Sequence, residues 1–116
     1  MSFMYKIQTK HLNEYSTLYG GQLLEWIDNY CLAKTERYKL KAGEKFVTRS
    51  ISCEFLAPVY LGGLIKTKIM KEKIGNTSIT FEYHVTCNRK VVAKGTTTFV
   101  KLYKGKKSKI IIKKKK

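Results

Sequence analysis

The sequence predicts an α+β fold in which one long helix is wrapped by a curved antiparallel sheet of about five strands. Three observations predict it. The chain holds one long helical pattern, around residues 19–40. Everything after that pattern reads as strands separated by Gly- and Asn-containing turns. The helical and strand segments are segregated rather than alternating, so the helix must bury its apolar stripe against sheet alone.

The elements follow in order. Met4 to Thr9 (MYKIQT) reads as a short strand, and Lys10 to Thr17 as a loop with Asn13 and Ser16 as turn formers. The helix begins at Tyr19 or Gly21, with Thr17 as a possible cap, and runs to about Leu40. Leu23, Leu24, Ile27, Cys31, Leu32 and Tyr38 form its apolar stripe, flanked by Trp26 and Tyr30. Arg37, Lys39 and Lys41 suit the negative end of a helix dipole, and Ala42-Gly43 stops the helix. Roughly 20 residues at about 1.5 Å each make a rod of about 30 Å.

Four strands are expected next. Phe46 to Leu56 alternates, with Val47, Ile51, Cys53 and Phe55 on one face, and Ala57-Pro58 ends it. Leu64 to Ile74 follows Gly62-Gly63 and carries lysines suited to a solvated face or an edge. Gly75-Asn76 is a hairpin turn. Thr77 to Cys87 has the cleanest alternation, with Ile79, Phe81, Tyr83, Val85 and Cys87 on one face. Val91 to Tyr103 contains Gly95, which marks a close backbone approach, expected to be to the helix. Residues 1–103 are expected to form the domain and residues 104–116 a frayed, lysine-rich tail, with Ile110 to Ile112 as the one stretch able to extend a strand.

With 116 residues the chain is one small domain, and self-association is a reasonable expectation. The formal net charge is +16, and the eight lysines from Lys104 onward carry half of it. The charge suggests a polyanionic ligand, either nucleic acid or the phosphates of a coenzyme. No recognition-helix or RNA-binding sheet motif is present, and the aromatics follow apolar patterns, which disfavours nucleic acid. Cys31, Cys53 and Cys87 lack a CxxC spacing and read as reduced, buried thiols, with no metal site. No signal pattern opens the sequence and no run is long enough to span a membrane, so a cytoplasmic protein is the default expectation.

Asn13, then Leu18-Tyr19-Gly20-Gly21, then Leu23-Leu24-Glu25-Trp26-Ile27-Asp28 resembles the hotdog-fold acyl-CoA thioesterases. The family pattern is an Asn, turn residues, an aromatic-Gly-Gly, and a helix with an acid about two turns in. Val47-Thr48-Arg49-Ser50, then Phe55-Leu56-Ala57-Pro58 with Gly62-Gly63, then Gly75-Asn76-Thr77-Ser78 match in the same order. Together these pieces cover residues 4–103. One departure is visible: many members have Gly where Ser16 stands.

The resemblance implies a hotdog fold and hydrolysis of acyl-CoA to free acid and CoA. It implies Asp28 as general base or nucleophile, and Asn13 as the group orienting water or substrate, supplied from a neighbouring subunit. Helix amides at Gly21 would form the oxyanion hole, with Gly20 admitting the thioester. Thr48, Arg49 and Ser50 would line the substrate, and Gly75, Asn76, Thr77 and Ser78 would lie near the coenzyme. No cofactor is implied beyond CoA as part of the substrate, and the assembly would be a homodimer or a trimer of dimers.

Each residue also has a plainer reading. Asn13 makes an Asx turn, the glycines make the loop-to-helix turn, and Asp28 is a solvated helix residue. Asp28, the only aspartate, lies one turn from both Leu24 and Leu32, so it sits beside the apolar stripe, where a carboxylate is costly unless used or partnered. His11 and His84 do not stand in the arrangement used by the hotdog enzymes that hydrate enoyl groups. The competing functions are a non-catalytic acyl-CoA-binding module and a small basic nucleic-acid-binding protein.

Overall fold

The fold is described from a computed structural model covering residues 3–112. Strand β1 (Phe3–Lys6) leads through a loop to the helix α1 (Gly20–Lys34). A short 3-10 turn (Thr35–Arg37) and strand β2 (Tyr38–Lys39) follow. The main strands are β3 (Glu44–Phe55), β4 (Leu64–Ile74), β5 (Ser78–Cys87) and β6 (Lys90–Tyr103), and the chain closes with β7 (Lys106–Lys107) and β8 (Ile111–Ile112). The main sheet is antiparallel in the order β1-β4-β5-β6-β3, and it curls around α1. This is the hotdog arrangement expected from the sequence.

β5 supplies the clearest link from pattern to core. Ile79, Phe81, Tyr83 and Val85 are all fully buried, and they alternate with Thr80, Glu82, His84 and Thr86 on the outer face. Against them the helix buries Leu23, Trp26, Ile27, Tyr30 and Cys31, spaced by three and four. The expected stripe is thus rotated. Trp26 and Tyr30 face inward, while Leu24 is half-buried and Leu32 exposed. The first strand explains the rotation, because Tyr5 stacks on Trp26 with ring centroids 4.0 Å apart.

The helix is also shorter than its pattern. It has 15 residues, about 22 Å, and ends at Lys34 rather than about Leu40. The Thr35 hydroxyl donates to the Leu32 carbonyl at 2.6 Å, which closes the last turn. The chain then extends so that Tyr38 can bury its ring against Phe46.

A bulge between Thr48 and Ser50 breaks the expected faces of β3. Thr48 opposes the buried Phe99, whereas Ser50 opposes Thr98 on the outer face. Val47, paired with Val100, therefore leaves the face it was expected to share with Ile51 and Cys53. Gly95 does mark a close approach, but to β3 rather than to the helix. A Cβ there would collide with the Ser52 carbonyl and lie 2.8 Å from the Tyr83 hydroxyl, which donates to that carbonyl at 2.6 Å.

The basic C-terminal segment folds back where a frayed tail was expected. β7 pairs with β6, β8 pairs with β2, and Ile110 is buried. Lys101, fully buried, joins its ammonium to Glu44 at 3.2 Å and donates to the Lys109 carbonyl at 2.8 Å. The Ser108 hydroxyl donates to the same Glu44. Local like charge opposed this return, but the segment is tied down by bonds that the Ser108 hydroxyl and the Lys109 carbonyl make with the Glu44–Lys101 pair, and by the Ser108 and Ile110 amides on the Lys101 and Asn76 carbonyls. Residues 113–116 of the expected tail lie outside the described residues.

The hydrogen bond from Ser108, with those from the Lys41 amide and Lys101, holds the Glu44 carboxyl down at about 2. A depressed carboxyl stabilises the fold above its ordinary value of 4.5 and loses that contribution as pH falls toward about 2. Thermal melts across that interval should show Tm falling. Glu44→Gln should melt lower at neutral pH and lose much of the acid dependence.

Candidate active site

The helix start and Asp28 form two separate clusters. Gly20 and Gly21 are the first two helical residues, capped by the backbone of Tyr19. The Tyr19 carbonyl accepts the amides of Gln22 at 3.1 Å and Leu23 at 3.3 Å. The amides of Gly20 and Gly21 therefore have no intrahelical acceptor, and they stand at the positive end of the helix dipole. Thr17 does not cap the helix; its hydroxyl bonds to Asn13 instead.

Gly20 borders an apolar cavity of about 410 Å³, whose walls also include Leu23, Phe55, Leu56, Pro58 and Val92. A Cβ on Gly20 would come within 3.2 Å of the Phe55 ring, so the glycine lets the ring and the helix start approach each other. A cavity of this size suits an acyl chain or a small apolar group. In the sequence, Phe55 to Pro58 stands out only as part of a pattern, and this wall was not expected. The available signal was an apolar run, FLAPVYL, at the end of a strand that is otherwise polar on its outer face.

Asp28 lies two helical turns further along, half-buried. Its Oδ1 accepts the Thr48 hydroxyl at 2.6 Å. Among the described residues no donor is bonded to Oδ2, and no cation pairs with the carboxylate. Its charge is felt nearby: burial first, and Asp28 second, push the Cys31 thiol up to about 12. The carboxylate thus has one oxygen fixed in direction and one open to a water or a carbonyl carbon.

Asn13 sits in a loop closed by a bridge between Leu12 and Leu18. Its Oδ1 accepts the amides of Tyr15 at 2.9 Å and Thr17 at 3.2 Å, and its Nδ2 donates to the Thr17 hydroxyl at 3.0 Å. Within its own chain it makes the Asx turn, and none of these bonds reaches Asp28. Ser16, in the same turn, has φ 62°, a left-handed conformation that glycine adopts without strain.

Of the other residues singled out from sequence, only Thr48 is joined to Asp28. Arg49 occupies the bulge and is exposed, and Ser50 points to the opposite face from Thr48. Gly75 to Ser78 form the β4–β5 turn, closed by the Gly75 amide on the Ser78 carbonyl at 2.7 Å. Asn76 and Thr77 give their carbonyls to Ile110 and Lys101, so the backbone of this turn braces the C-terminal segment. Ile79 and Thr48 both oppose Phe99, which puts the start of β5 two strands, about 10 Å, from Thr48. No cluster of three His, Cys, Asp or Glu side chains occurs among the described residues.

Comparison with known proteins bears on this geometry. A family model described as the thioesterase superfamily matches residues 15–100. An acyl-CoA hydrolase from Staphylococcus aureus, solved with butyryl-CoA and CoA, superposes with a TM-score of 0.80 at 22% identity, over 97% of this chain and 69% of the other. A thioesterase from Thermus thermophilus, solved with CoA and zinc, gives 0.81 at 19% identity over 93% and 88%. A 1,4-dihydroxy-2-naphthoyl-CoA thioesterase from Synechocystis gives 0.79 at 13% identity over 93% and 87%. Comparison with curated protein sequences gave no match.

Relief of the left-handed strain at Ser16 should be measurable. Ser16→Gly is expected to stabilise the chain by about 1 kcal/mol in urea unfolding, the scale of a single left-handed non-glycine residue, partly offset by glycine's extra chain entropy.

Proposed function

Because the chain belongs to the thioesterase superfamily, we propose that it hydrolyses acyl-CoA thioesters to a free acid and CoA, in a site built from two copies of the chain. The observation that carries this reading is the half-buried Asp28, bonded to Thr48 and, among the described residues, paired with no cation, on a helix whose first residue, Gly20, borders an apolar cavity.

The chemistry assigns each part a role. Asp28 Oδ2 either removes a proton from an attacking water or attacks the thioester carbon itself. The carbonyl oxygen gains negative charge, and the amides at Gly20 and Gly21 donate to it. The tetrahedral centre then collapses, the C–S bond breaks, and the thiolate of CoA leaves and takes up a proton; where Asp28 itself has attacked, a water then hydrolyses the mixed anhydride to the free acid and restores the carboxylate. The acyl chain occupies the cavity between Leu23, Phe55 and Val92. Thr48 acts through Asp28, holding the carboxylate in one direction.

One chain alone does not assemble these parts. Gly21 and Asp28 are seven residues apart on one rigid helix, about 10 Å along its axis, whereas both must lie about 3 Å from the reacting carbonyl. Asn13 is likewise tied into its own loop. A second copy supplies the missing half. β3 ends the sheet order, and no strand pairs with its outer side among the described residues. An open edge of 12 residues is a ready surface for a two-fold partner. The working unit is therefore a homodimer, with the helix start and Asn13 of one protomer facing Asp28 of the other. Arg49 and the 75–78 turn remain candidates for the coenzyme, as the resemblance implies.

Release of free thiol from a panel of acyl-CoAs tests the assignment. The wild type should hydrolyse members of the panel, and Asp28→Asn should lower kcat by a hundredfold or more, about the scale of a general base. Thr48→Val should lower kcat about tenfold with KM little changed, since a lost positioning bond costs on the order of 1 kcal/mol. Absence of turnover on every thioester, or full activity in Asp28→Asn, contradicts it. Tight acyl-CoA binding without turnover would instead select a binding module.

A further inference from the structure

The hydroxyls of Tyr38 and Tyr83 each donate to an acceptor, the Glu72 carboxylate at 2.7 Å and the Ser52 carbonyl at 2.6 Å. The Tyr19 hydroxyl, at the start of the helix, has no hydrogen-bond partner among the described residues, and the residue is 57% exposed. Its backbone is held on both sides of the Cα. The Tyr19 amide donates to the His11 carbonyl at 2.8 Å, and its carbonyl accepts from Gln22 and Leu23.

The ring folds back over the second residue of the helix. A Cβ on Gly21 would lie 2.5 Å from Tyr19 Cε2, 3.0 Å from Cζ and 3.2 Å from the hydroxyl oxygen. A real Cβ does not come that close to a ring carbon, so glycine at 21 is what lets the phenol lie there. The nitrogen and Cβ of one residue are about 2.5 Å apart, so the hydroxyl is at most about 5.7 Å from the Gly21 nitrogen. Two donors that share one oxygen at about 2.8 Å each stand up to about 5.6 Å apart. Across essentially this whole range, one acceptor oxygen can take a bond from both the phenol and the helix amide.

On the neighbouring residue, the Phe55 ring stands 3.2 Å from where a Cβ on Gly20 would be. The helix start is therefore flanked by two rings, and donors partly shielded from water by carbon act more strongly on a developing charge. We infer that Tyr19 is a catalytic residue. Its phenol donates to the thioester oxygen beside the amides of Gly20 and Gly21, and that bond strengthens as the oxygen becomes an oxyanion. The phenol transfers no proton. This role rests on the thioesterase reading above.

Tyr19→Phe keeps the ring over Gly21 and removes only the hydroxyl. The test compares it with wild type in thiol release from the acyl-CoA panel, and in calorimetric binding of an S-alkyl-CoA thioether, which has no carbonyl. In the variant kcat should fall at least about tenfold with KM changed less than about twofold, the loss expected for a donor to a charged oxygen. Thioether affinity and Tm should be unchanged. A kcat within twofold of an active wild type overturns the inference and leaves the thioesterase reading standing. Weaker thioether binding that matches the loss in kcat/KM shows the hydroxyl meeting the coenzyme instead, and overturns it as well. A wild type that hydrolyses no thioester defeats both.

Discussion

An α-helix is a rigid rod with a fixed rise per residue, and here that rod carries the two groups to which the proposed function assigns chemistry, at fixed separation. The unsatisfied amides sit at Gly20 and Gly21, and the carboxylate sits two turns on at Asp28. No rotamer closes a gap of about 10 Å. The rest of the structure answers this constraint. The sheet curls around the rod and buries Ile27 and Leu23, leaving Asp28 at the margin beside Thr48. The sheet order leaves β3, the strand that holds Asp28 in place, at an open edge. In the proposed dimer, a two-fold partner at that edge would bring a second rod alongside in the opposite sense, each helix start toward the other's carboxylate.

Bulges do as much as the regular elements to place chemistry. The one after Thr48 keeps its hydroxyl on Asp28 while turning Ser50 to the outer face. The one at Met70, in β4, keeps Lys68 and Lys71 together on the outer face, opposite His84 and Glu82. In each case a single extra residue changes which side chains meet, with almost no change to the backbone path.

Much of the fold was legible because local pattern and tertiary demand agree. Residues 79–85 alternate and their apolar members are fully buried; the glycine pair starts the helix; β4 has the bounds its pattern gives. What was not legible depends on partners distant in sequence. Alternation cannot reveal a bulge, because a skipped residue leaves the local composition unchanged, and so Val47 was assigned to the face of Ile51 and Cys53. The helix end was misread because the cations after Lys34 suit a dipole, while the Thr35 hydroxyl and the burial of Tyr38 decide the matter. The return of the C-terminal segment rests on Lys101, Glu44 and Ser108, and Glu44 lies more than 50 residues before both of the others. In the candidate site, Asp28 and the glycine pair stood out as residue types, but the bond from Thr48, 20 residues away, and the cavity wall at Phe55 required the fold.

The central claim is that each site draws Asp28 from one protomer and Asn13 with the helix start from the other. Mixing two variants tests it most directly. Asp28→Asn and Asn13→Ala, each weakly active or inactive alone, are unfolded together, refolded as a mixture and assayed for thiol release. The account predicts recovery to about a quarter of wild-type activity, since half the random dimers are mixed and each mixed dimer has one intact site. No recovery above the separate variants, with mixed dimers shown to have formed, would contradict it.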